Sequence, residues 1–576
     1  MLLSLLSKFV VAIGQTLFPS NQRFRKSVIL WFGLSLTFAL YYGILSLQQA
    51  FRSEYVVQDD AREYVFWMQR FVEPDLLPND LMADYFQSVT PVGYAALYKL
   101  AANFGINPLN LSKILPPLLG LVTNACCFRL SLRLFPIPAA AFAATLLLNQ
   151  SLWFSSDLSS AVPRSFIYPL LLLFLDYLLQ KSWFILRIIT LLEALFYPPL
   201  ILISSAIMCI RLRRNYLLLL GMLGLGFVAI LPYALSSSEY SPVVTASQAW
   251  KMPELWTEGR HPFFDANPWK FWLTGQHSGI FPPLMPPLIW MGLLLPWVMR
   301  HPLTFPLLKL LNKENMTILA QIVIASFILY FAAHALLLKI FFPTRYTVHT
   351  LRIVFAIASG FTITIMLHGF LKQVCIWTES SNSPIKVKIR RLFSTIFVAA
   401  IIFILFFYPN FLQSYPRADY KTGGNAALYK FLEQQPKDTL IASLSEEVNN
   451  LPTFAKRAIL VGREYALPFH LGYYSHIRQR TIDLITAQYS PNLTAAQELV
   501  KMYGVDFWLL ETNSFQPEYL TSKSWLKSFQ PAFDEALDNL QTGKNLALTE
   551  LAESCRVFNT NNFILLKTDC EQLKVK

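Results

Sequence analysis

Residues 56–67 read VVQDDAREYVFW. Two adjacent carboxylates, Asp59 and Asp60, and then Arg62 follow closely on the apolar run 27–48. An aromatic group, Tyr64, Phe66, Trp67 and Phe71, comes at once behind them. The stretch marks the lip where the chain leaves an apolar phase. A carboxylate on the bilayer side of such a lip is costly unless it has a partner or a task. If the segment is helical, Arg62 shares a face with Asp59 three residues back and can pair with it. Asp60 has only the like-charged Glu63 at that spacing. The residues alone leave structural pairing and chemistry both open.

Working outward, the chain has 576 residues, 54% of them hydrophobic and 14% charged, against about 25% charged in soluble domains. It is a polytopic membrane protein. The net charge of +13 does not point to nucleic acid, because Lys and Arg lie scattered between apolar spans and form no clustered surface. That scatter is cytoplasmic-loop bias. Residues 1–26 are expected to form an interfacial helix: the apolar stretch 1–18 holds only Lys8 and lacks a small-residue cleavage site.

A span needs about 20 mostly apolar residues. Eleven candidates follow: 27–48, 109–133, 136–154, 163–180, 183–197, 198–210, 215–235, 282–300, 316–342, 346–371 and 391–408. The fifth and sixth are short and meet at Tyr197-Pro198-Pro199, as one kinked helix or a tight pair. Basic residues fall at alternate ends: Arg23, Arg25 and Lys26, then Arg129 and Arg133, Lys181, Arg211 to Arg214, Arg300 to Lys313, and Lys386 to Arg391. This places the N-terminus in the cytoplasm and treats Pro198-Pro199 as a turn. Loops 49–108 and 236–281 and the tail 409–576 then lie outside. Trp250, Trp256, Trp269 and Trp272 of the second loop suit the headgroup level.

The tail has a soluble composition and alternates helix and strand patterns: Ala426 to Gln435 helical, Thr439 to Leu444 extended, and Thr494 capping a helix to Tyr503. A strand Val505 to Glu511 and a hairpin Val557 to Lys567 follow. The expected fold class is an all-α polytopic membrane domain (27–408) followed by a C-terminal soluble α/β domain (409–576). Cys126, Cys127, Cys209 and Cys375 fall in or beside spans. Cys555 and Cys570 flank the hairpin, where an oxidising compartment makes a disulfide the expectation.

Gln58-Asp59-Asp60-Ala61-Arg62 after the first span resembles the first-loop acidic motif of GT-C class membrane glycosyltransferases. It is similar to the form found in protein O-mannosyltransferases and the aminoarabinose transferase of lipid A. Thr90 to Tyr98 resembles that group's Pro-Pro-Leu-Tyr helix, with Val92 for the second proline. The basic turn Cys127 to Phe135, the short spans around Pro198, Phe342-Pro343-Thr344-Arg345-Tyr346, and Tyr503 to Trp508 keep the order. The second acid is Asp where those families have Glu.

The resemblance implies a sugar moved from a polyprenyl-phosphate donor to a lipid, glycan or protein acceptor at the outer face of the plasma (inner) membrane. Asp59 matches the family's first acid and is the expected general base. Asp60 would orient the loop, hold a hydroxyl or help bind a divalent cation, the one cofactor in view, with Asp84 as a second candidate ligand. Arg345 and Arg164 are expected to hold the leaving phosphate, since their planar fork matches its oxygens. Arg62 and Tyr346 complete the candidate binding set. The plainer readings are snorkelling arginines, a belt tyrosine, and a solvated face for Asp80 and Asp84. Arg260, His261 and His277 are loop residues without ligand spacing. No zinc motif or glycine-rich phosphate loop occurs. A flippase for lipid-linked sugars, resting on Asp176 and Glu193 within spans, a scaffold, and a lipid-linked oligosaccharide transferase or ligase are the alternatives.

Overall fold

The structure, a computed structural model, describes residues 24–235, 239–378 and 385–570. The helix expected over 1–26 thus lies outside the described residues up to position 23. Each expected span coincides with a helical segment, but the count divides. Among the described residues six helices are long and apolar enough to cross a membrane: Phe24–Ala50, Pro108–Leu134, Tyr216–Tyr233, Lys313–Ala335, Thr344–Leu371 and Leu392–Phe411. The other five are shorter: Pro138–Trp153, Ile167–Gln180, Trp183–Phe196, Pro199–Arg211, and the 3-10 and α segments Pro287–Leu294 and Leu295–Met299. Proline sets several of these limits, because it lacks the N–H that would continue a helix. The chain breaks at Tyr197 and restarts with Pro199 at the first helical position.

Pro138–Trp153 is the centre of the bundle, with every residue buried. Its small residues let the long helix from Thr344 approach closely. A Cβ at Gly360 would come 2.3 Å from the Ala144 nitrogen, so only glycine fits there.

The tail builds a five-stranded sheet in the order β4 (Ala458–Ile459), β3 (Leu440–Ala442), β5 (Phe507–Glu511), β7 (Phe563–Lys567), β6 (Arg556–Asn559). The first three run parallel and β5, β7 and β6 antiparallel. Strand β5 is the expected Val505–Glu511 strand, and β6–β7 the expected hairpin. Cys555 and Cys570 are joined by a disulfide across its base, Cα–Cα 5.5 Å. The expected cap moves: Asn492, not Thr494, caps Leu493–Tyr503, accepting the Thr494 N–H at 3.0 Å.

One pairing places the opening motif. Strand β1 (Val56–Gln58) runs antiparallel to β2 (Tyr420–Thr422), with Val57 opposite Lys421. The N–H of Asp59 donates to the Asp419 carbonyl at 3.1 Å, and that of Gly423 to Tyr55 at 2.9 Å. The first loop is therefore a strand of the C-terminal region before it becomes a helix. The second loop is stitched to the same region: Val244 N–H donates to Phe469 O at 2.9 Å, and Gly472 N–H to Tyr240 O at 3.0 Å. Trp250, Trp269 and Trp272 stay exposed.

Candidate active site

Helix Asp59–Val65 begins directly at the end of β1, and Gln58 caps it by accepting the Ala61 N–H at 3.2 Å. Strand and cap together set the direction of both acids. Asp59 pairs with Arg62, as the spacing predicts, and lies 3.4 Å from Lys421 Nζ of strand β2. Asp60 turns the other way and pairs with Arg164. Both carboxylates keep 26% of their side-chain surface exposed. The pair thus faces two sides, Asp59 the C-terminal region and Asp60 the membrane domain.

Behind Arg164 lies a buried polar network of residues not expected from the sequence. Asp157 lies 3.7 Å from Arg164 Nε and is bound by Arg352. Tyr168 Oη sits 3.3 Å from Asp157 and 2.9 Å from His349 Nδ1, and also accepts from Arg352. Burial alone would raise the Asp157 carboxyl. Arg352, His349 and Arg164 outweigh it and hold the group far below the usual carboxylate range. Arg345, His349 and Arg352 stand at i, i+4 and i+7 of one helix, so they form one stripe. That spacing was the available signal.

Arg345 differs from its neighbours. Among the described residues it has no ion pair; its Nε is buried without a hydrogen-bond partner, as are those of Arg164 and Arg352. It acts with Arg164 on a shared set of groups. Both lower the Tyr64 hydroxyl, which burial and Glu63 raise to about 12. Both also push down His277, which burial, Arg345, Arg260 and Arg164 hold at about 3. Arg164 and Arg345 thus both act on Tyr64 and His277, and Asp60 acts on Tyr64 as well.

The remaining expectations fare unevenly. Arg62 is committed to Asp59 and to Asn450, 2.8 Å away. Tyr346 is fully buried and its hydroxyl donates to Ile340 O, which makes it a packing residue and neither a belt aromatic nor a donor to the site. Asp80 and Asp84 are not one solvated face. Asp80 is buried as the cap of Leu81–Val89, accepting the Ala83 N–H at 2.7 Å, while Asp84 binds Arg70 at 2.7 Å. Asp60 and Asp84 are thus held by different arginines. No group of three or more His, Cys, Asp or Glu side chains placed to hold a metal occurs among the described residues. Asp176, one basis for a flippase, is clamped by Arg129 and Arg133, and Glu193 accepts from Ser204 at 2.7 Å.

No family model matches the chain, and no curated protein matches its sequence. Solved structures do. The apo oligosaccharyltransferase of Archaeoglobus fulgidus superposes with a TM-score of 0.51 at 12% identity, over 87% of this chain and 72% of that one. The archaeal enzyme with an inhibitory peptide and a dolichol-phosphate gives 0.54 at 11%, over 88% and 72%. The form tethered to an acceptor peptide containing the NVT sequon gives 0.50 at 12%, over 89% and 72%. The chain shares the fold of these archaeal structures: a helical domain with long apolar helices, followed by a domain containing a small sheet.

Proposed function

We propose that this protein is a membrane glycosyltransferase that moves a sugar or oligosaccharide from a polyprenyl-phosphate carrier to an acceptor at the outer face of the membrane. The observation that supports the reading is Arg345, a cation without an ion pair among the described residues that acts on Tyr64 together with Arg164 and Asp60. The donor enters from the bilayer side, and its phosphate rests on Arg345 and Arg164. The bond between the anomeric carbon and the bridging phosphate oxygen breaks, and the electron pair stays on that oxygen. Guanidinium groups in a dry site stabilise this growing charge far better than water does.

The acceptor comes from the side of the C-terminal domain and meets Asp59, which takes its proton. Asp60, held by Arg164, orients the loop between donor and acceptor. The alternative of oligosaccharide transfer gains support from the fold, since the archaeal enzyme it resembles was solved with an acceptor peptide and with a dolichol-phosphate. The basic loops support an orientation with both outer loops and the tail outside the cytoplasm.

The test is to delete the gene and profile surface glycans, glycolipids and glycoproteins by mass spectrometry, complementing with wild type, Asp59→Asn or Asp60→Asn. A glycan lost on deletion, restored by wild type and not by Asp59→Asn supports the reading. Full restoration by both variants would refute it.

A further inference from the structure

The second loop brings two histidines to the start of the helix that carries Arg345, where the Thr344 N–H donates to the His277 carbonyl at 3.5 Å. The ring centroids of His261 and His277 are 5.9 Å apart. His277 stacks on Phe342 at 4.6 Å, and His261 lies 5.1 Å from Phe469. His261 Nε2 is buried without a hydrogen-bond partner. The charges acting on His277 are Arg345, Arg260 and Arg164, and those acting most on His261 are Arg260, His277, Arg345 and Arg463. Arg260 is paired with Glu63 and Glu464, Arg463 with Glu446 and Arg164 with Asp60, which leaves Arg345 as the uncompensated cation of this group among the described residues. A buried ring nitrogen without a partner, next to an uncompensated cation, disfavours a metal ion and favours an anion.

We propose that His261 and His277 form a subsite for the phosphate monoester of the spent lipid carrier, next to the Arg345 subsite that holds the diester of the intact donor. The inference rests on the function proposed above. When the sugar leaves, the phosphate passes from one negative charge to two and gains a terminal oxygen. The arginines match the first charge. The imidazoles supply N–H donors for the second, as neutral groups, because burial and the arginines keep both far below the usual histidine range.

The test uses the full chain in lipid nanodiscs and two probes: farnesyl phosphate, a monoester, and its methyl diester. Wild type is expected to bind the monoester at least 10-fold more tightly at pH 8, with the preference shrinking toward pH 6 as the monoester, whose second pKa is about 6, takes up a proton. His261→Phe/His277→Phe, which keeps the stacking, should lose that preference and bind the diester within about twofold of wild type. If this variant fails to bind the diester, His277→Ala decides by the same comparison. A retained monoester preference, an equal loss for both probes, or a wild type without preference overturns the inference alone. A wild type that binds neither probe overturns the proposed function itself.

Discussion

Arg345 has no ion pair among the described residues, and the proposed reaction gives it one task. Arg345→Ala should lower the transfer rate by roughly 100-fold, the cost of removing one donor aimed at developing charge. Arg345→Lys should recover only part of that, since an ammonium has no fork for two oxygens. Initial rates with a fixed donor decide. Asp80 tests the electrostatics away from the chemistry. Burial outweighs its cap bond and the nearby Arg480 and Arg70, raising it to about 6. A carboxyl raised on folding binds its proton more tightly in the native state, so stability falls as pH rises from about 4 to 6. Asp80→Asn keeps the cap and removes that loss. Its gain in thermal midpoint over wild type should grow across this window and level off above it, worth at most about 3 kcal/mol. A gain constant from pH 4 to 7 would refute the assignment. At this scale the sequence was partly legible. Asp59 and Arg62 pair as their spacing says. Asp60 and Asp157 find arginines on distant helices, which no local pattern encodes.

Among the elements, the spans were the plainest part to read, since hydrophobic length follows directly from bilayer thickness. The turn at Pro198 was legible for a similar reason, as proline cannot continue a helix. Strand β1 was not legible. Val56 to Gln58 is too short for a period, and its partner β2 lies beyond the last span. Yet β1 aims the acid pair. Hydrogen-bonded pairs alternate in an antiparallel ladder, and the bonds at Tyr55–Gly423 and Asp59–Asp419 place Val57–Lys421 among them. Val57→Pro removes a ladder donor at the centre of this ribbon. The expected outcome is normal membrane insertion and a stable tail, with transfer reduced at least 10-fold. Wild-type rates from that variant would show that β1 does not position the acids.

Taken whole, the molecule joins its two long loops and its tail at one knot. Arg260 of the second loop lies 3.1 Å from Glu63 of the first loop and also binds Glu464 of the tail. Burial raises Glu63 well above the usual carboxyl range, with Arg260 opposing it and Glu464 and Asp60 adding to it. Removing the cation leaves two buried acids facing each other, a loss of roughly 3–5 kcal/mol for such a pair. Arg260→Ala should therefore free residues 239–281 from the tail and expose them to limited proteolysis, while the spans stay intact. Unchanged cleavage would argue against the knot. This meeting of loops and tail was beyond sequence reading, because each partner is an ordinary charged loop residue until the fold assembles them. The most direct measurement is a cryo-EM structure of the full chain with a bound polyprenyl phosphate. The account predicts phosphate density in hydrogen-bonding contact with Arg345, with Asp59 and Asp60 bordering the same cavity. Phosphate bound elsewhere, with Arg345 left in contact with protein alone, would contradict it.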